Sequence, residues 1–190
     1  YEGFLMSKDV CLFMYSHSSY SDAWEPFIEQ ADAYMPSYTK MVFAYKDMGK
    51  IPSHWRFISY NEDQTYSERI ASCLEQVDSE VCILHHEDMF LYDQPQIDKM
   101  FEYENLVRNS SIDFIRLLRS VDDPTFPYRG SDTLYPIPTH SKYFFSVQPS
   151  ICKTDSLIKI YKNTKINHLR EFEIKVQQTC RKLNISGLFH

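Results

Sequence analysis

Four ionisable side chains follow one another directly after a short apolar run, in the stretch VCILHHEDMF. They are His85, His86, Glu87 and Asp88. Such groups are costly to place beside a buried segment unless they reach water or a ligand. Carboxylate oxygens are ligands that Mg²⁺ and Mn²⁺ prefer, and an ion held by the two acids could bridge a diphosphate to the protein. The other explanation is a strand that ends in solvent, and the residue types leave both explanations open.

The two histidines also raise the hypothesis of a zinc site, because His85, His86 and the neighbouring acids are all zinc ligands. Consecutive residues on a strand point to opposite faces, so both rings reach one ion only if the strand ends before them. A divalent ion that holds a diphosphate is therefore favoured over zinc. A metal-dependent hydrolase that uses His85, His86 and Asp88 is kept as a less favoured hypothesis.

A second pair of acids, Glu171 and Glu173, stands in the stretch HLREFEIK at the start of a predicted helix. Residues two apart do not share a helix face. Phe172 lies on the apolar stripe of this helix, so one of the two glutamates must face a different surface. Acids in the first helical turn are favoured by the helix dipole, which is a structural explanation beside a catalytic one.

Polar residues also stand at the ends of two other apolar runs. Ser16 and His17 follow the first run, where small side chains and free backbone amides can contact a nucleotide or start the next helix. Gln148 precedes Pro149 at the end of an aromatic run, where it can bond a polar ligand or end the strand. His17 has no Ser and Asp partners at a spacing that supports a hydrolase triad.

Apolar runs alternate with amphipathic segments along most of the chain. Strands are predicted at 9–16, 39–47, 55–60, 81–85, 112–118 and 142–151, and helices at 21–36, 65–80, 95–107, 154–163 and 170–183. Nearly all-apolar strands predict one α/β domain over residues 1–190, with a mostly parallel central sheet and helices on both faces. Ligands of such sheets bind at the carboxyl ends of the strands, where His86, Glu87 and Asp88 lie.

Two helix starts and one loop carry further signals. Asp22 followed by Glu25, and Thr65 followed by Glu68, have the spacing of N-terminal capping boxes. Residues 121–141 contain four prolines and show no periodicity, which predicts a long irregular loop.

The composition argues against several classes of protein. The 190 residues are 43% hydrophobic and 24% charged, an ordinary balance for one globular domain. The formal charge of −6 and the lack of a dense Lys/Arg run argue against binding of nucleic acid. The sequence has neither a Rossmann fingerprint nor a Walker-type phosphate loop. It also has no apolar run of about 18 residues, so no membrane span is expected.

The cysteines and the first residues favour a cytoplasmic location. Cys11, Cys73 and Cys82 fall on apolar faces, as expected of buried reduced thiols, and no signal-peptide pattern is recognised. Sequons of the N-x-S type at Asn109 and Asn184 keep a secretory compartment open.

Two longer stretches resemble a known family. The stretch YSERIASCLEQVDSEVCILHHEDMFL resembles the helix and strand that lead into the DxD-type metal motif of nucleotide-diphospho-sugar glycosyltransferases with the GT-A fold. Here His86, Glu87 and Asp88 occupy the motif. The segments YFFSVQPSICKTDSLIKIY and HLREFE resemble the acceptor-side half of certain small bacterial and viral transferases. The likeness covers most of residues 9–190 through short and degenerate motifs.

The resemblance implies a hexosyltransferase that moves a sugar from a nucleoside-diphosphate sugar to an acceptor hydroxyl. UDP is the preferred nucleotide and inversion the preferred stereochemistry. A Mn²⁺ or Mg²⁺ ion would be held by Asp88 and His190, and the general base would be Glu173, with Glu171 as second choice. The acceptor, whether glycan, lipid or protein, is not indicated, and no nucleic acid partner is expected.

The contacts to the donor are predicted at the carboxyl ends of several strands. Asn61, Glu62 and Asp63 follow the third predicted strand and would hold the base or the ribose. The other predicted donor contacts are Ser16, His17, His86, Glu87 and Gln148.

The loop at 121–141 would form a lid over the donor or the acceptor, with Tyr128, Arg129 and Tyr135 as its candidate contacts. His86 stands where the family has an acidic residue. A non-catalytic transferase-like domain that binds a sugar or a protein is therefore the alternative to an enzyme.

Overall fold

Eight strands form one sheet in the computed structural model, which describes residues 10–119, 126–128 and 131–190. The strands are β1 (Val10–Tyr15), β2 (Thr39–Ala44), β3 (Arg56–Ser59), β4 (Val81–His86), β5 (Phe114–Arg116), β6 (Tyr135–Pro136), β7 (Ser150–Lys153) and β8 (Gly187–Phe189). Their order across the sheet is β3-β2-β1-β4-β7-β5-β8-β6. All except β6 and β7 run in one direction, so the predicted mostly parallel α/β sheet is confirmed.

Five helices cover the two faces of this sheet within the described residues. They are α1 (Trp24–Tyr34), α2 (Tyr66–Leu74), α3 (Ile97–Asn109), α4 (Thr154–Asn163) and α5 (Leu169–Lys182). The apolar stripes of α1 and α3 pack on one face, and those of α2, α4 and α5 pack on the other. Every residue of β1 and β4 is buried, because both faces of the central strands are covered.

The two predicted capping boxes have different outcomes. Thr65 accepts a hydrogen bond from the Glu68 backbone N–H, and the Glu68 carboxylate accepts one from the Thr65 N–H, so this box is confirmed. The box at Asp22 is wrong, since α1 begins after Ala23 with no side-chain cap. The reason is a preceding 3₁₀ turn (Ser18–Tyr20), after which the backbone N–H groups of Ala23 and Trp24 already donate to carbonyls of that turn region.

The strand predicted at 142–151 is mostly wrong, because only its end forms β7. Before β7 the chain follows turns and bends beside α5 and does not pair with another strand. Gln177 takes the place of a neighbouring strand there: its Oε1 accepts from the Phe145 N–H at 3.0 Å, and its Nε2 donates to the Phe145 carbonyl at 2.8 Å.

Two short strands, β6 and β8, form at one edge of the sheet and were not predicted from the sequence. β8 pairs with β5, and β6, which falls inside the predicted irregular loop, pairs with β8. Gly187 allows this pairing, because a Cβ there would lie 2.2 Å from Cζ of Phe114. Residues 131–137 of the predicted loop are therefore part of the fold, with Leu134 and Ile137 buried.

Candidate active site

The carboxyl ends of β1 to β4 meet at one edge of the sheet, and Ser16 ties three of these strand ends together. Its N–H donates to the Phe43 carbonyl at 3.0 Å, and its carbonyl accepts from the Tyr60 hydroxyl at 2.9 Å. Its hydroxyl accepts from Trp24 Nε1 at 2.7 Å. Ser16 is only 1% exposed, so its polar atoms already serve to position the strand ends.

His17 joins the end of β1 to the turn that follows β3. Its Nε2 lies 3.0 Å from Glu62 Oε1, and its Nδ1 lies 2.7 Å from the Ser19 hydroxyl. The ring also packs on two exposed tyrosines, with centroid distances of 5.2 Å to Tyr45 and 6.4 Å to Tyr20. The structure thus brings together two residues that were predicted as donor contacts, and it adds an aromatic surface that the sequence reasoning missed.

Arg69 of α2 holds the turn at 61–64 in place. Its guanidinium donates to the carbonyls of Glu62 and Gln64, and it lies over the Tyr60 ring at 5.4 Å from the centroid. Within the turn, Asn61 Oδ1 accepts from the Asp63 N–H at 3.0 Å. Sequence reasoning missed Arg69. The capping box of Thr65 and Glu68 starts the helix that follows β3, so Arg69, the next residue, lies in the first turns of this helix, close to the carboxyl edge of the sheet.

His85 and His86 lie on opposite faces of the sheet. The His85 ring packs against Phe27 of α1 at 5.0 Å, whereas the His86 ring packs against Tyr15 at 5.5 Å on the other face. Burial lowers the pKa of each ring to about 4, so both are neutral near pH 7. The alternation predicted from strand geometry is confirmed, and the two rings do not share one ion as the zinc-dependent hydrolase would need.

Glu87 and Asp88 form a turn at the end of β4 and differ in burial. Glu87 is 9% exposed, and burial, reinforced by the nearby Asp88 charge, raises its pKa to about 7. Asp88 is exposed. His86 Nδ1 lies 4.0 Å from Glu87 Oε2. Because the His86 ring is neutral near pH 7, His86 and Glu87 do not form an ion pair. His86 Nε2 is buried without a hydrogen-bond partner among the described residues.

His190 lies at the same edge as Asp88 but is bound elsewhere. Its Nδ1 is 2.7 Å from the Tyr103 hydroxyl, which also bonds Thr133. β8, which precedes His190, is three strands from β4, and that is about 14 Å at the usual strand spacing. In the described part of the chain, no three His, Cys, Asp or Glu side chains come close enough together to hold a metal ion.

The two glutamates of α5 face different neighbours. Glu171 pairs with Lys175 at 2.6 Å on the exposed surface. Glu173 Oε1 accepts from the Val147 N–H at 3.3 Å, so it faces the irregular segment that precedes β7. Gln148 follows in that segment, and its Oε1 is buried without a hydrogen-bond partner among the described residues. Such an atom is usually satisfied by water or a ligand.

A row of aromatic rings connects the acidic turn to the start of α5. The centroids of His86 and Tyr15 are 5.5 Å apart, and those of Tyr15 and Tyr66 are also 5.5 Å apart. Tyr66 in turn contacts Phe172 at 5.4 Å. Phe172 directly precedes Glu173. The row of packed rings therefore connects the acids at the end of β4 with the acids at the start of α5.

The predicted lid residues have other roles in the described part of the loop. Tyr135 stacks on Phe189 at 5.2 Å, and the Tyr128 N–H donates to the Leu134 carbonyl at 2.6 Å. Arg129 lies outside the described residues. No helix among the described residues is both long enough and apolar enough to cross a membrane.

No known protein family profile matches the sequence, and no curated protein matches it. Solved structures do resemble its fold. One is residues 1–349 of TarS from S. aureus in complex with UDP-GlcNAc, with a TM-score of 0.57 and 11% identity over 96% of this chain and 58% of that one. Another is a mannosyltransferase from Pyrobaculum calidifontis in complex with GDP-Man and Mn²⁺, with a TM-score of 0.54 and 8% identity over 94% and 53%.

A third similar structure is 4-diphosphocytidyl-2C-methyl-D-erythritol synthase from Anaerococcus prevotii, with a TM-score of 0.56 and 11% identity over 94% of this chain and 83% of that one. At identities this low the likeness shows the fold. The chain has the fold found in TarS, in this mannosyltransferase and in this synthase, and it spans little more than half of the TarS and mannosyltransferase chains.

Proposed function

We propose that this protein is a glycosyltransferase that moves a hexose from a nucleoside-diphosphate sugar, with UDP as the nucleotide, to an acceptor hydroxyl with inversion. The observation that carries the proposal is the turn of Glu87 and Asp88 at the carboxyl end of β4, next to the bonded pair of His17 and Glu62. This is the edge at which ligands of α/β sheets bind.

The nucleoside half of the donor fits the ends of β1 and β3. The side chains of Asn61, Glu62 and Asp63 are exposed there, and the turn that carries them is held by Arg69. The exposed ring of Tyr45 offers a flat apolar surface for the base. Carboxylate and amide oxygens in this turn can accept hydrogen bonds from ribose hydroxyls.

The diphosphate half of the donor fits the turn after β4, where a Mn²⁺ or Mg²⁺ ion would sit. The donor set suits such an ion, because Asp88 offers an exposed carboxylate and Glu87 a second one, whose pKa is raised by burial and by the nearby Asp88 charge. Asp88 would hold the ion, whereas His190 is bound to Tyr103 three strands away and is not placed to share it. A bound ion supplies positive charge that stabilises the leaving diphosphate.

Glu173 is proposed as the general base. The Val147 N–H holds one carboxylate oxygen in place and leaves the other free to accept a proton. As the acceptor oxygen forms its bond to C1 of the sugar, its proton passes to Glu173, and the bond from C1 to the diphosphate oxygen breaks with its electron pair on the nucleotide. Glu171 is engaged with Lys175 and is the weaker candidate.

Nucleotidyl transfer is the second function that the fold allows, since one similar structure is by its name a synthase of a diphosphocytidyl compound. That chemistry handles a triphosphate, whose charge is larger than that of a diphosphate and is balanced by cations. The loop from Ser16 to Ser19 has no Lys or Arg to balance it. Glycosyl transfer is therefore the better-supported proposal.

Isothermal titration calorimetry tests the proposal directly. The protein is titrated with UDP, GDP, CTP and the UDP-linked and GDP-linked hexoses, with and without Mn²⁺. We expect heat with UDP and UDP-sugars and tighter binding with Mn²⁺. Heat with CTP alone would favour nucleotidyl transfer, and no heat with any nucleotide would favour the non-catalytic alternative.

A further inference from the structure

A groove runs beside α5, next to the proposed base. It has a volume of about 440 Å³ and lies between the segment at 140–143 and one face of the helix. The lining residues that matter here are Lys142, Tyr143, Arg170, Glu173, Ile174 and Arg181. We call this cavity the α5 groove.

The charge of the α5 groove is opposite to that of the chain. The whole chain carries a formal charge of −6, yet three cations, Lys142, Arg170 and Arg181, line the groove with the single carboxylate of Glu173. Other cations such as Lys40 and Arg108 pair with carboxylates. Among the described residues, the three cations of the groove form no ion pair.

Other contacts keep two of these cations, Arg181 and Lys142, at the groove. Arg181 Nη1 donates to the Thr139 carbonyl at 3.2 Å, which holds its side chain across the wall formed by the segment. The Lys142 ammonium lies 5.2 Å from the centroid of the Tyr143 ring. Neither contact neutralises a positive charge, so the groove remains a site that attracts anions.

The spacing along α5 places the proposed base between two of the cations. Arg170 is three residues before Glu173 and shares its helix face. Arg181 is eleven residues after Arg170, which is about 16 Å of helix at 1.5 Å per residue. An extended ligand can therefore place an anionic group at either arginine and a hydroxyl at Glu173.

The groove also offers apolar surface to such a ligand. Tyr143 is 39% exposed on one wall, and Ile174 is 71% exposed on the other. Aromatic and aliphatic surface of this kind suits the carbon face of a sugar ring, whereas the cations suit its charged substituents.

We propose that the α5 groove binds the acceptor, and that this acceptor is an anionic sugar or polyol whose phosphate or carboxylate lies near the hydroxyl to be glycosylated. This rests on the proposed function, because Glu173 takes the hydroxyl proton there. The charged groups are held by Arg170 and Arg181, whose positive charges offset the repulsion between these groups and the carboxylate of the base.

Ligand-observed NMR titrations with three matched hexoses test this inference. The probes are methyl glucoside, methyl glucuronide and glucose 6-phosphate, which are neutral, carboxylate-bearing and phosphate-bearing. We expect the two charged sugars to bind at least tenfold more tightly than methyl glucoside, with affinity that falls as salt is added. The stronger of the two identifies the anionic group. Equal binding of all three would overturn the inference.

Two double variants locate the site. Arg170→Glu with Arg181→Glu should weaken binding of the charged sugars at least tenfold. Lys165→Glu with Lys182→Glu makes the same change of charge in a neighbouring cleft of about 360 Å³ and should leave binding unchanged. If the lysine pair weakens binding as much as the arginine pair, the anion site is not in the α5 groove. Arg170→Gln with Arg181→Gln repeats the test if charge reversal unfolds the protein.

A parallel UDP titration separates this inference from the proposed function. UDP should bind the wild type and the arginine variants equally, since the donor site lies at the strand ends. If charged sugars bind the groove but no nucleotide binds, the proposed transferase is wrong while the anion site stands. If UDP binds and charged sugars do no better than methyl glucoside, only the present inference fails.

Discussion

The two edges of the sheet differ in how completely their polar groups are satisfied. At the amino edge a cleft of about 620 Å³ is lined by charged residues, but Arg108 pairs with Glu80 at 3.0 Å and Lys153 donates to the Ser110 carbonyl at 2.6 Å. At the carboxyl edge, His86 Nε2 is buried with no partner among the described residues. The cations of the amino-edge cleft therefore have partners, whereas the carboxyl edge keeps a buried polar atom without one among the described residues.

The pKa values of Asp32, near the amino edge, and of Glu87, at the carboxyl edge, are shifted in opposite directions. Asp32 lies near the amino edge, where burial alone would raise its pKa, but hydrogen bonds from Lys40, His54 and Trp55 outweigh burial and lower it. At the carboxyl edge, burial raises the pKa of Glu87. A buried acid whose pKa is raised at a cleft is a candidate for binding, whereas an acid whose pKa is lowered by its hydrogen bonds stabilises the fold.

The largest effect is expected at Glu173. Glu173→Gln keeps the size of the side chain but cannot take a proton, so the transfer rate should fall by about 10²–10⁴ while donor affinity is kept. Glu171→Gln is the matched control and should change the rate little, because Glu171 bonds only Lys175 among the described residues. Steady-state transfer rates and donor calorimetry measure both effects. A loss confined to Glu171→Gln would place the base on the other face of α5.

The next largest effect is expected at Asp88. Asp88→Ala should weaken UDP binding in Mn²⁺ by about 10–100-fold, the range expected of a lost contact to a charged group. The fold should survive, because Asp88 is exposed. Asp78→Ala is the control at the amino edge, where the side chain is fully exposed and 3.9 Å from Arg56. Unfolding of Asp88→Ala, seen by circular dichroism, would instead make Asp88 structural.

Glu87 should make the free protein less stable as the pH rises. Its pKa is raised to about 7 from 4.5, so the folded state holds the proton more tightly than the unfolded state. Stability is then lost between about pH 4.5 and 7. Glu87→Gln should remove that loss and raise the Tm at pH 7.5 by about 2–4 °C, the shift produced by 1 kcal/mol in a chain of this size. An unchanged pH profile of Tm would contradict this.

Asp32 should act with the opposite sign. Its pKa is below the ordinary 3.8, so its contribution is present above that pH and is lost as the pH falls through the lowered pKa. Asp32→Asn should cost about 1 kcal/mol at pH 7, less than a fully buried charged bond because solvent screens this partly exposed group. Chemical denaturation at pH 7 and pH 3 measures the difference, which should shrink at the lower pH.

The smallest effect is expected at Glu80. Its side chain is 76% exposed in the pair with Arg108, and such surface pairs contribute less than about 1 kcal/mol. Glu80→Gln should therefore leave both Tm and UDP affinity close to those of the wild type. A clear loss of nucleotide affinity in this variant would move the functional site to the amino edge.

Short-range patterns in the sequence were sufficient for most of the fold. Apolar runs predicted β1 and β4 because both faces of these strands are buried, and the spacing of Thr65 and Glu68 predicted the start of α2 because both partners of a capping box lie within one turn. The placement of His85 and His86 on opposite faces also followed, since alternation is a property of any strand.

Contacts between distant segments required the folded chain. His17 meets Glu62 across 45 positions of sequence, and Gln177 replaces a strand partner for Phe145 across 32. His190 is bound by Tyr103, 87 positions away, rather than by the acidic turn. A pattern of residues in the sequence predicts only contacts between residues that are close together along one turn or one strand. Which strand ends meet, and which charges share the α5 groove, depends on the order of strands and on the helix that packs beside them.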